Sequence, residues 1–218
     1  MNNAISHVVR ALEAVDSRFY GLDDIAFADD ALIDNNKIRN LERRFMIEFS
    51  RQYAAIMHDN DIEYSGVQYD FEVPKKFMWY ENPDLDIRRT FEQLNERRDV
   101  NMLEYFETQP DFLVHASQRN RDDQRLILEA KVNPKAPKGE VFKDIFHTLI
   151  YINKYNFKNS VLLLVNIELQ KWRKYLKEYR DNRLYLGSLN RLNDVYIVSK
   201  QSVAANTEVG TLAKYLNT

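Results

Sequence analysis

Pro110-Asp111 and Glu129-Ala130-Lys131 are the residues of this chain whose types and spacing could do chemistry. The triplet closes a short apolar run, Leu126-Ile127-Leu128, and the aspartate lies eighteen residues before the glutamate. Side chains along a strand alternate faces with period two, so Glu129 and Lys131 point the same way. An acid and an amine side by side at the end of a buried strand are costly unless something uses them. A metal ion held near a phosphate would use both. The string by itself is common in a chain with 33 acidic residues, and Pro-Asp recurs at Pro83-Asp84. The surrounding elements therefore decide what the motif is worth.

Those elements follow from hydrophobic periodicity. Residues 1–33 begin as a helix (Val8, Val9, Leu12, Val15) and become irregular and acidic. Residues 38–57 predict the clearest amphipathic helix, with Ile38, Leu41, Phe45, Phe49, Tyr53 and Ile56 at steps of three or four. His58-Asp59-Asn60-Asp61 ends it as a turn. Ile62–Val73 reads as a strand stopped by Pro74. Residues 75–109 are ambiguous, with helical turns at Ile87–Leu94 and Val100–Phe106. Phe112-Leu113-Val114 and Arg125–Val132 read as strands that pair as a hairpin across the polar run Ser117–Gln124. Glu140–Tyr155 predicts a helix, Val161–Val165 a buried strand, and Leu169–Arg180 a basic helix. Val195–Val198 is a last strand, and Val209–Leu216 a short terminal helix. This order predicts an α/β or α+β domain around one sheet.

Composition bounds the possibilities. The 218 residues are most simply one domain, with an acidic N-terminal extension (1–36), a core (38–166) and a C-terminal part (167–218). Cysteine is absent, which excludes disulfides, thiolate metal sites and cysteine catalysis. The four histidines, at 7, 58, 115 and 147, lack chelating spacing. No run is long enough to span a bilayer and no basic-then-apolar leader is seen, so a cytoplasmic protein without membrane association is expected. Net charge is −2. Residues 1–36 carry seven acids against Arg10 and Arg18, net −5, which leaves +3 for the remainder. The body could therefore face a polyanion.

In this order and context, Pro110-Asp111-Phe112-Leu113-Val114, Glu129-Ala130-Lys131, the helix from about 140 and the strand at 161–165 resemble the PD-(D/E)XK nuclease superfamily. A leading helix with a glutamate precedes them, and the resemblance covers residues 38–166. It implies a restriction-endonuclease-like fold with a central mixed sheet flanked by helices. It also implies magnesium-dependent phosphodiester cleavage, with Mn²⁺ able to substitute for Mg²⁺, and usually a DNA substrate. Hydrolysis of a phosphodiester builds negative charge on a centre that already repels nucleophiles. Magnesium takes hard oxygen ligands, typically one or two carboxylates, with water and phosphate oxygens completing its shell. Asp111 and Glu129 are the expected metal ligands, with the Ala130 carbonyl also available. Lys131 is expected to orient or deprotonate the attacking water and to stabilise the developing charge.

The leading helix should bring another acid, and two compete. Pattern favours Glu42, the odd polar residue among Phe49, Tyr53 and Ile56 on a helical wheel. The resemblance favours Glu48, ten residues before the turn at His58, and Glu48 is the expected catalytic acid. Some members of the superfamily carry Gln-x-x-x-Tyr in the later helix. Here the nearest match is His147-Thr148-Leu149-Ile150-Tyr151, with Asp144, His147 and Tyr151 on one stripe. His147 reads first as a half-buried helix residue and second as a phosphate contact. Lys171, Lys174 and Lys177, interleaved with Trp172, Tyr175 and Tyr179, are candidate DNA contacts. Taken alone, that helix reads as amphipathic with its aromatics in the core. The expected function is a magnesium-dependent deoxyribonuclease. The rival is a non-catalytic module of the same fold, serving nucleic-acid binding or assembly, and a homodimer or protein partner stays open.

Overall fold

The computed structural model describes residues 3–22, 35–60, 63–71, 110–116, 123–181 and 191–217. Its frame is a six-stranded sheet in the order β1 (Gln68–Asp70), β2 (Phe112–His115), β3 (Gln124–Lys131), β4 (Asn159–Val165), β5 (Val195–Lys200) and β6 (Glu208–Thr211). The outer pairs β1–β2, β2–β3 and β5–β6 are antiparallel. The central pairs β3–β4 and β4–β5 are parallel. Parallel strands need crossovers, and two helices supply them: α3 (Lys138–Lys154) between β3 and β4, and α4 (Leu169–Asp181) between β4 and β5. Helices then cover both sheet faces, so every residue of β4 is buried and its sequence, Asn-Ser-Val-Leu-Leu-Leu-Val, shows no polar alternation.

The two cores sort by strand parity. On one face Ile127, Leu162, Leu164 and Ile197 pack against α3, α4 and the short terminal helix α5 (Leu212–Leu216). On the other, Leu126, Leu128, Val161, Leu163 and Val198 pack against α1 (Asn3–Ala14) and α2 (Asn35–Asp59). Phe45, Phe49 and Tyr53 recur at four-residue steps on α2 and are fully buried. The ring of Phe112 meets Phe49 and Tyr53 edge-on and stacks on Tyr69. This contact seats α2 over the start of β2, next to Asp111. Among the described residues, no helix is long and apolar enough to cross a membrane.

Two segments depart from expectation. Among the described residues of Ile62–Val73, the strand is confined to Gln68–Asp70. The residues before it form a turn, closed by the Tyr64 N–H to the Asn60 carbonyl and by Gly66 at φ +74°. Tyr64 turns inward, its hydroxyl 2.6 Å from His7 Nδ1 and 3.1 Å from the Tyr53 hydroxyl. Val209–Leu216 divides: Val209 lies in β6, and helix α5 begins only after Thr211, whose hydroxyl accepts from the Lys214 N–H. Gly210 permits this, because a Cβ there would lie 2.7 Å from the Tyr215 ring. The helical turns expected at Ile87–Leu94 and Val100–Phe106 lie outside the described residues.

Phe112→Ala should remove the aromatic contact that seats α2. Equilibrium urea unfolding is expected to show a loss of about 3–5 kcal/mol. A loss below about 1 kcal/mol would mean that α2 is held elsewhere.

Candidate carboxylate–lysine site

β2 and β3 part where the chemistry-bearing residues stand. Their pairing ends with Phe112 opposite Leu128, while β3 continues through Glu129, Ala130 and Lys131 alongside β4. In a sheet, the N–H and C=O of one residue turn to the same neighbour. Ala130 donates its N–H to Asp111 Oδ2 at 2.7 Å, so its carbonyl also faces the side that β2 no longer covers. Val132, one strand period on, donates its N–H to Glu42 Oε2 at 3.3 Å. Two carboxylates thus stand where a strand partner would.

Odd-numbered side chains of β3 face α3. Glu129 and Lys131 follow Ile127 on that face and are only 3% and 7% exposed. Lys131 Nζ lies 3.3 Å from Asp144 Oδ2 and 3.8 Å from Glu42 Oε1. Lys143 Nζ lies 3.1 Å from the other Asp144 oxygen. His147 Nδ1 is 3.6 Å from Glu129 Oε1. Glu42 and Asp111 also form part of the wall of a cleft of about 530 Å³, together with Arg43, Met46 and Ile47.

The electrostatics are those of crowded acids. Burial, then the Glu129 charge, pushes the Asp111 carboxyl up to about 7, against relief from Lys131 and the Ala130 amide. Glu42 is also pushed up to about 7, by burial first and against the Lys131 ammonium. Its side chain keeps 27% exposure, so water screens part of that effect. Burial works against charge on Asp144 too, yet Lys131 and Lys143 outweigh it and hold the carboxyl below its ordinary value. Burial likewise disfavours the Lys131 ammonium, but Asp144, Glu42, Asp111 and Glu129 prevail and raise its pKa well above the usual lysine range.

Among the described residues, when all of these are ionised and His147 is neutral, four carboxylates (Glu42, Asp111, Glu129, Asp144) face two ammonium groups (Lys131, Lys143), a net charge of −2. A divalent cation is the complement of that charge. Among the described residues, no three acid or histidine side chains are already drawn together as a metal cage. Magnesium needs no such cage, since one or two carboxylates suffice beside water and phosphate oxygens. Asp111, Glu129 and the Ala130 carbonyl are hard oxygen donors of that kind, so the donor chemistry fits.

The structure brings Asp111, Glu129, Ala130 and Lys131 together. It does not bring Glu48, and the helix acid at the cluster is Glu42. A separation of six positions carries Glu48 about 9 Å along the helix and roughly 120° around it. There it accepts from Arg51 at 2.7 and 3.0 Å and from Gln52 at 2.7 Å, pairings that hold its pKa low. The apolar-face pattern carried the right signal, and spacing by resemblance misled. Lys143 and the pairing of Asp144 with Lys131 were not foreseen, although the polar stripe Asp144–His147–Tyr151 on an apolar helix was their trace. His147 is buried beside Glu129. On α4, Trp172 and Tyr179 enter the core, and Lys171 donates to the Pro134 carbonyl at 2.8 Å. Lys174 and Lys177 are exposed.

No protein-family model matches the chain, and no curated protein and no solved structure is found to be similar to it.

The folded Asp111 and Glu42 carboxyls keep their protons up to about pH 7, whereas the unfolded chain releases them near about pH 4. Stability therefore falls as pH rises between those values and levels off above them. His7, lowered mainly by burial, acts in the opposite sense, costing stability as pH falls below its ordinary 6.5. Asp111→Asn removes one of the raised carboxyls. Its stability is expected to decline less from about pH 5 to about pH 7.5, ending on the order of 1–3 kcal/mol above wild type. An unchanged slope in urea unfolding would contradict the crowding of these acids.

Proposed function

We propose that this chain is a metal-dependent nuclease that hydrolyses DNA phosphodiester bonds, and that its mixed sheet and flanking helices form a restriction-endonuclease-like fold. The observation that carries this reading is the convergence of Asp111, Glu129 and Lys131 where β2 leaves β3, with Glu42 and the Ala130 backbone beside them. A buried surplus of negative charge is unfavourable in an inert core. It is what a divalent-cation site requires.

Asp111, Glu129 and the Ala130 carbonyl would hold Mg²⁺ or Mn²⁺. The bound ion supplies Lewis-acid stabilisation of the phosphate and a more acidic water. Lys131, held by Asp144 at 3.3 Å, presents an ammonium to the charge that builds on the phosphate. Glu42 enters from α2 in the role expected of Glu48. Lys174 and Lys177, exposed on α4, remain as phosphate contacts, whereas Lys171 is occupied by a backbone carbonyl.

One observation favours a second reading, a non-catalytic module for nucleic-acid binding or assembly. Lys131 is already paired inside the protein, so the cluster coheres without a substrate.

The deciding assay uses plasmid and single-stranded DNA with Mg²⁺ or Mn²⁺. Lys131→Ala is expected to lower the cleavage rate at least about 100-fold while sparing DNA binding, because the ammonium acts mainly at the transition state. A wild type that binds DNA and cuts nothing supports the module. Cutting that persists undiminished in Lys131→Ala means the catalytic assignment is wrong.

A further inference from the structure

α3 is an apolar helix with one polar stripe. Val141, Ile145, Leu149 and Ile152 enter the core, and Asp144 and His147 face the cluster. Asp144 has no solvent exposure at all. A carboxylate in that position is tolerated only where cations neutralise it. Its two oxygens take one lysine each, Lys131 at 3.3 Å and Lys143 at 3.1 Å.

Lys131 needs such a partner. Its ammonium sits at the tip of a flexible four-carbon stem, which packing alone fixes poorly. Glu42 lies farther away at 3.8 Å, is partly exposed, and already accepts from the Val132 amide. Asp144 is rigid by comparison, fully enclosed on a helix. It also keeps two like charges in one dry space. Without it, Lys131 and Lys143 repel each other, and Lys131, the last residue of β3, already keeps 9% of its side chain exposed.

We infer that Asp144 is a positioning residue: it fixes the Lys131 ammonium at the Asp111–Glu129 pair, and its removal releases that ammonium to solvent. Its consequence for catalysis rests on the nuclease reading, while the positional claim does not.

Two readouts separate these. In residue-resolved amine acetylation followed by mass spectrometry, wild-type Lys131 should react slowly, its side chain being 9% exposed. Asp144→Asn should raise its rate at least about tenfold relative to the exposed Lys174, and Asp144→Glu, which keeps the carboxylate, should restore much of the protection. Protection of Lys131 unchanged in Asp144→Asn overturns the inference. In the cleavage assay, Asp144→Asn should bring turnover down toward that of Lys131→Ala, with DNA affinity in Ca²⁺ within about twofold, and should add little in the Lys131→Ala background. An equal further loss in that background overturns the positioning role. If wild type cuts nothing, the nuclease reading fails and acetylation alone decides the position of Lys131. Should Asp144→Asn fail to fold, Asp144→Asn with Lys143→Met removes one of the two repelling charges and carries the same acetylation test.

Discussion

The pairing of β2 with β3 stops at Phe112 and Leu128, and among the described residues no strand pairs with that edge of β3 beyond this point. Backbone amides at such an edge need partners. Asp111 and Glu42 provide them, accepting from Ala130 and Val132. The rest of the site follows from that substitution of side chain for strand. It pulls an acid from the residue just before β2 and another from α2 toward the β3 end, where strand parity has already placed Glu129 and Lys131 on a shared face. The packing of α2 on Phe112 and the docking of α3 on the odd-numbered face of β3 hold the pieces in register.

The cluster is poorly explained as a device for stability. Each buried ion forfeits several kcal/mol of hydration, roughly, even after the protein relaxes around it. Well-packed apolar residues would serve a core better. Among the described residues two lysines offset four acids, and burial and crowding raise two of the carboxyl pKa values to about 7. Groups pushed apart in this way, Asp111 up and Asp144 down, mark a site whose environment has been arranged for charge.

Much of this arrangement could be read from residue patterns. The β2–β3 hairpin, the buried strand after α3 and the amphipathic α2 were visible because each has a strong period or an apolar run. The convergence of Asp111 with Glu129 and Lys131 followed from that hairpin. Glu42 was legible as a polar residue on an apolar face, while Glu48, preferred for its distance from the turn, is consumed by Arg51 three residues on. Short edge elements were not legible. β6 has four residues, one of them the Gly210 that makes room for Tyr215, and neither feature leaves a periodic signal. The Lys143–Asp144–Lys131 triad joins a helix to a strand through side chains alone, so the polar stripe on α3 marked Asp144 without naming its partners.

The central claim is that the negative surplus where β2 leaves β3 exists to meet a divalent cation. Its most direct test is the melting temperature at about pH 7.5, where the carboxyls are largely ionised, during titration with Mg²⁺ or Mn²⁺. Binding to the folded state alone must raise the midpoint by linkage, and the rise should vanish in Asp111→Asn and in Glu129→Gln. A melting temperature indifferent to millimolar divalent ions, or a rise that survives both substitutions, would contradict it.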